Sequence, residues 1–383
     1  PPARSVPLQV ALLNAMHYQR PEIVMLAGLV MLLGGGLAAC IALCGGLFMR
    51  PMLRLSQLNR NSSVGCWLTI GFLLLISIGC RGQSSDEDAV GHLDVERMFG
   101  SPGLSLGQFS YPRAMAIDSH GDCMYVIDKT ARIQRIGLDG TPHRQWATPE
   151  SALGKPTGVS VGPDGLIYVA DTHYYQILVY DADGNEQLRF GEYGTGPGQF
   201  IYPTDVVVAP DGRLYVAEYG GNDRIQIFSP EGIYIDQFGS FGSEPGQLNR
   251  PQSMALANSG QAIIVADSCN HRISIYDLEG KLIRMFGEPG VASGQLLYPY
   301  DLVQLPDGIL LVCEWGNHRV QAFAVDGTPS GIFGQLGYAP GQLRTPWSID
   351  IDASGENIFV LDSGNERVQV IPTNHLAFDL GDS

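Results

Sequence analysis

The chain is predicted to be all-β, a six-bladed β-propeller closed by its own N-terminal strand. Two observations predict this. One phrase recurs six times, opening at Pro112, Pro156, Pro203, Pro251, Pro299 and Pro346, with spacings of 44, 47, 48, 48 and 47 residues. Each copy also alternates apolar and polar residues at the period of a strand, punctuated by glycine turns. The elements then follow in order. VERMFG, ending at Phe99-Gly100, reads as a strand that precedes the first repeat and belongs to none. Each repeat opens with an inner strand (PTGVSVG in the second), then a turn. The six turns read HGD, PDG, PDG, NSG, PDG and ASG, residues whose backbone preferences suit tight turns. A second strand ends in an acid (LIYVAD), a third follows (QILVYD), and a fourth ends in aromatic-Gly (QLRFG). A loop ending in Gly-Gln then leads to the next Pro at Gly198-Gln199, Gly246-Gln247, Gly294-Gln295 and Gly341-Gln342. The last repeat stops after its third strand at Ile371, so the orphan N-terminal strand is expected to complete that blade. Closure removes two exposed strand edges.

The propeller is thus assigned to residues 92–371, with a tail over 372–383, a polar tether over 81–91 and a membrane or signal region over 1–80. Residues 23–49 carry no charge, long enough to span a bilayer, and a second apolar run covers 66–80. Arg50, Arg54 and Arg60 lie between them. Two readings stand. Both runs form a membrane hairpin with the arginine loop cytoplasmic. Alternatively, synthesis starts at Met52 and the run is a signal ending at Cys80, the lipidated residue of a lipoprotein. Ser77, where Leu is usual, departs from that pattern. Either way the repeats are membrane-anchored on the extracytoplasmic side. Seven cysteines, without CxxC spacing, suggest neither a disulfide framework nor a thiolate metal site.

From residue 93 onward there are 17 Lys and Arg against 35 Asp and Glu. Such a surface disfavours nucleic acid, whose phosphates need clustered cations. The second strand ends in Asp128, Asp171, Glu218, Asp267, Glu314 and Asp362, and in five repeats an Arg follows: Arg132, Arg224, Arg272, Arg319 and Arg367. Pairing within each blade is the expected reason. Acids about 8 Å apart at an effective dielectric of 20 would repel by about 2 kcal/mol per neighbouring pair. Blade two has Gln176 instead, and Asp205 and Asp301 add carboxylates near the start of two inner strands. Asp171, Asp205, Glu218, Asp301 and Glu314 are therefore candidates to gather at the channel mouth. Of these, Asp205, Glu218, Asp301 and Glu314 form an oxygen-only set suited to Ca²⁺ or Mg²⁺. Aromatics fall on the same end: Tyr111, Tyr202, Tyr298 and Tyr300, with Tyr174, Tyr175, Tyr219, Trp315 and Trp347. Tyr219, Trp315 and Trp347 join the candidate ligand-binding residues, since such side chains anchor interfaces. His271 and His318, each in an Asn-His-Arg phrase, are read as structural.

VADSCNHRISIY, VCEWGNHRVQAF, VAEYGGNDRIQIF and VLDSGNERVQVI resemble the NHL-repeat family of six-bladed propellers. The resemblance covers all six repeats and implies a binding or scaffold module, here for an envelope protein, a peptide or a carbohydrate. It also implies an alternative, a metal-dependent lyase or lactonase-type enzyme using the channel-mouth carboxylates. Residues 203–232 are similar to part of the peptidyl-hydroxyglycine amidating lyase. Its zinc histidines would fall on positions that here hold Arg113, Thr157, Thr204, Gln252, Tyr300 and Trp347, none of them His. Its catalytic Tyr would fall on Gly220 and a functional Arg on Ser268.

Overall fold

The computed structural model describes residues 94–118, 122–152 and 154–376. Residues 1–93 and 377–383, including both apolar runs and Cys80, lie outside them. No helix among the described residues is long and apolar enough to cross a membrane.

Six four-stranded antiparallel sheets form the blades. The inner strands are Pro112–Ile117, Gly158–Val161, Tyr202–Val208, Pro251–Leu256, Pro299–Gln304 and Ser348–Ile351. In blades one to five the four strands pair in chain order. In the sixth, the outer position is taken by Arg97–Phe99. It pairs with the third strand in the register Arg97 to Val370, Met98 to Gln369 and Phe99 to Val368. The propeller is therefore closed by the strand that the sequence left over.

There is no single core. Six apolar clusters sit at the six junctions between blades. Ala114, Tyr125, Val159 and Leu178, for example, join blades one and two. Phe109, Met115, Phe359 and Val368 join blades six and one. This follows from the strand period: alternate side chains of one sheet face opposite neighbours, so nearly every position is buried. The second strand of blade three, LYVAEY, is buried throughout.

The loops from outer to inner strand fold back on themselves. Glu192–Tyr193 pairs in parallel with Gln199–Phe200. Single bridges do the same at Pro102 and Phe109, Phe241 and Leu248, Pro289 and Leu296, and Leu336 and Leu343. The residue after each Gly-Gln is the pin: Phe109, Phe200, Leu248, Leu296 and Leu343 are all fully buried.

Neighbouring blades are also buttoned together at this end. The residue before the opening Pro is in the left-handed region at Tyr111, Arg250, Tyr298 and Thr345. That conformation is costly for side chains larger than glycine. Each of these N–H groups is held by the preceding blade: Tyr111 by Glu366 Oε1, Arg250 by Asp223 Oδ1, Tyr298 by His271 Nδ1 and Thr345 by His318 Nδ1. This gives the Asn-His-Arg histidines the structural role expected of them. Because each accepts at Nδ1, both imidazoles are neutral.

Candidate binding face

All loops that precede an inner strand, and all loops joining second to third strands, lie at one end of the propeller. The acid–arginine pairs brace this end. Arg132 pairs with Asp128, Arg224 with Glu218 at 2.6 Å, Arg272 with Asp267 at 2.7 Å, Arg319 with Glu314 at 2.5 Å and Arg367 with Asp362 at 2.7 Å. Each guanidinium then clamps the preceding loop. Arg272, for instance, donates to the carbonyls of Ser243 and Gln247 at 2.7 Å each. In four of these pairs burial outweighs the cation: the Glu218 carboxyl is pushed up to about 7, and those of Asp267, Glu314 and Asp362 are also raised.

Blade two shows why its arginine is missing. The first blade's outer strand ends in Trp146-Ala147, without aromatic-Gly, and no Gly-Gln loop follows. Among the described residues no parallel bridge folds that loop back as in the others, and Gln176 stands in the arginine's place, donating to Asp171 Oδ2 at 3.0 Å. Asp171 is fully buried and its carboxyl is raised to about 6, mainly by burial.

A second brace was not read from the sequence. Gln134, Gln226, Gln321 and Gln369 each accept the N–H of the loop glycine (Gly107, Gly198, Gly294, Gly341) and donate to the carbonyl of the glutamine after it. The signal is present: these glutamines stand two residues after the motif arginine, as Arg-Ile-Gln or Arg-Val-Gln.

The five candidate carboxylates do not form one site. Glu218 and Glu314 are spent inside their own blades, and Asp171 points into its own, with Oδ2 on Gln176 and Oδ1 buried without a hydrogen bond. Asp205 and Asp301 line a central cavity of about 270 Å³ walled by all six inner strands. There they act as clips between blades. Asp205 accepts from Met254 N at 2.8 Å and Ser160 Oγ at 3.2 Å. Asp301 accepts from Ile349 N at 3.0 Å, from Ser348 Oγ at 2.5 Å and from Ser253 Oγ. Asp350, which the sequence reading overlooked, accepts from Ile117 N at 2.7 Å across the closing seam. Among the described residues no group of three or more His, Cys, Asp or Glu is placed to hold a metal ion. The proposed Ca²⁺ or Mg²⁺ set of Asp205, Glu218, Asp301 and Glu314 is thus divided between the channel and the blade interiors, where arginines and backbone amides take its oxygens.

Burial raises the clip carboxyls, Asp205 to about 8 and Asp350 to about 7, and Asp301 also upward. An acid whose folded pKa exceeds its unfolded value stabilises below the unfolded value, and that contribution is lost as pH rises through the folded one. Stability should therefore fall between about pH 4 and pH 8 on account of these groups. His271 and His318 act oppositely: burial lowers them, so their contribution is lost as pH falls below about 6.5. A stability maximum at mildly acidic pH is the expected outcome of urea titrations across pH. Asp205→Asn should shrink the loss between pH 5 and pH 8 by at least about 1.4 kcal/mol, the equivalent of one pKa unit. An unchanged slope would remove Asp205 as its source.

The aromatic residues pave the same end. Tyr111, Tyr300 and Trp347 form a buried cluster with Tyr298 and Trp315 packed against it. Contacts run on from Tyr193 to Tyr175 at 4.8 Å, Tyr175 to Tyr202 at 6.2 Å and Tyr202 to Tyr219 at 5.1 Å. Arg250 lies between Tyr219 and Tyr300, at 4.8 and 5.8 Å from their ring centres, and Arg113 lies 5.8 Å from that of Trp347. Tyr219 and Trp347 are therefore packed into the mouth, not presented to solvent, because the buried guanidinium groups need their faces. Trp315 stays half-buried.

At this end the presented apolar residues lie in the folded-back loops, while Ile233, Ile235, Ile283 and Val325 are exposed on outer strands and turns elsewhere. Leu104, Tyr193, Phe241, Val291, Leu336 and Tyr338 are 55–71% exposed, at least one in each of the five loops. The sequence signal is a large apolar residue two or four places after the glycine of aromatic-Gly.

Three segments, residues 153–180, 200–228 and 248–276, match the NHL repeat family. Among solved structures the chain is similar to a gluconolactonase from Xanthomonas campestris, at 15% identity over 75% of this chain and 93% of that one, with a TM-score of 0.56. It is similar to a streptogramin B lyase at 14% identity, 72% and 97% coverage and a TM-score of 0.54. Virginiamycin B lyase from Staphylococcus aureus follows at 16%, 70%, 97% and 0.50. At such identities the likeness is one of fold. Among curated proteins none matches in sequence.

Proposed function

Because this chain is an NHL-repeat β-propeller, we propose that it is a binding module, and that the loop end of the propeller is its docking surface. The observation that carries this reading is the crown of exposed apolar side chains. Five loops of different sequence each keep a large apolar residue more than half exposed, although their own anchors are buried. Exposed large apolar residues clustered at one end of a fold mark interaction sites. The sequence of residues 1–80 supports a membrane tether that would display this surface outside the cytoplasm to an envelope partner.

The test is a triple substitution, Tyr193→Ser, Phe241→Ser and Tyr338→Ser. These residues are mostly exposed, with Tyr193 resting on Tyr175 and Tyr338 beside Arg344, so the unfolding midpoint should fall only slightly. Partners crosslinked to the wild-type chain in envelope fractions, then purified and titrated, should bind the triple variant at least about tenfold more weakly, or about 1.4 kcal/mol. Equal affinity for both proteins would exclude the crown as the docking surface.

A further inference from the structure

The domain is strongly acidic, yet cations converge at the centre of this face. Arg113 and Arg250 are each 2% exposed and are set in the aromatic mouth. Lys129 is exposed, with Nζ 5.9 Å from the ring centre of Tyr111, which packs on Trp347 at 5.7 Å. Lys155, half-buried beside the opening Pro156, donates to the Ser151 carbonyl. Its ammonium is pushed down by burial and by the neighbouring Arg113 charge. Of the carboxylates nearby, Asp223 accepts the Arg250 and Gly221 amides, Glu366 accepts the Tyr111 amide at one oxygen and Asp128 pairs with Arg132, while Glu150 is exposed in the loop that leads to Lys155. Outside the mouth the sign reverses. Glu192, Glu244 and Glu288 stand exposed in three of the folded-back loops.

We infer that the partner is a protein segment that places an acidic side chain, flanked by apolar residues, over the Lys129–Lys155 mouth while its apolar neighbours rest on the crown. This rests on the binding-module reading and adds the chemistry of the ligand. A cationic centre within an acidic rim admits one carboxylate and repels an extended polyanion, whose charges would also meet the rim. Leu104, Val291 and Leu336 favour apolar side chains over sugar rings, which use aromatic faces and hydroxyl partners. Once the segment is seated, its apolar residues with the Tyr and Trp around the mouth would shield the pair from water and strengthen it.

A phage-displayed random peptide library panned on the immobilised full chain tests this. Enriched sequences should carry Asp or Glu within two positions of Leu, Phe, Tyr or Trp. As synthetic peptides they should bind more weakly at 500 mM than at 50 mM NaCl. Lys129→Gln with Lys155→Gln should weaken them at least tenfold while near-ultraviolet dichroism stays unchanged, with a small fall in the unfolding midpoint because Lys155 holds the Ser151 carbonyl. Lys129→Gln alone, at an exposed position, should give a smaller loss in the same direction. Enrichment of acid-free peptides that still need the crown would overturn the inference and leave the binding-module reading intact. Failure to enrich any crown-dependent peptide would overturn both. Retention of polygalacturonate or poly(U) RNA that depends on Lys129 and Lys155 would replace the protein segment with a polyanion and overturn the inference.

Discussion

Arg319→Ala should destabilise the propeller by about 3–5 kcal/mol, the usual cost of removing one partner from a buried ion pair. Glu314 is fully buried and would lose its cation. The carbonyls of Val291, Ala292 and Gln295 would lose their guanidinium donor as well. Asn317, Gln321 and the Leu297 amide would remain on Glu314, so the blade keeps its shape but holds a poorly matched charge. The Glu314 carboxyl is already raised by burial, and the variant raises it further. The deficit should therefore be larger at pH 8 than at pH 5, since a raised acid loses its contribution as pH climbs. Adding Glu314→Gln should recover part of it. Urea unfolding of the three proteins at both pH values measures this. A loss below about 1 kcal/mol, the range of exposed pairs, would show that the pair does not brace the blade.

The second large effect concerns the seam. A chain starting at Ser110 would lack Arg97–Phe99, leaving the edge of Arg367–Pro372 open. It would also lack Phe109, fully buried at the junction of blades six and one. Removing a buried phenylalanine side chain alone costs about 3–5 kcal/mol, a large share of a domain's stability. The truncated chain should lose its cooperative unfolding transition and associate through its open edge. A synthetic peptide of residues 94–109 should restore the transition, because a segment that binds only the folded ring stabilises it by mass action. The intact chain should ignore the peptide. Cooperative unfolding of the truncated chain without peptide would mean that the other five junctions suffice.

The periodic features of this protein were legible in one dimension. Six opening prolines, glycine turns, and acids with arginines a few residues on gave the blade count, and VERMFG gave the closing strand. The acid–arginine pairs were legible too, because both partners lie within one hairpin and hairpin geometry fixes their distance. The exposed crown was equally open to reading, as an apolar residue at fixed places after aromatic-Gly, but exposure leaves no periodic trace. Tertiary structure decided what crosses between blades. Asp205 and Glu218 are 13 residues apart and belong to strand ends at one mouth, yet one clips a neighbouring blade and the other is locked to Arg224. Asp350 meets Ile117 only because the ring closes. Tyr219 and Trp347 turn inward because buried arginines from other blades need ring faces. Strand period and turn chemistry are local and repeat with the sequence. The sharing of one carboxylate or one guanidinium between blades depends on ring closure, and no spacing in a single chain records it.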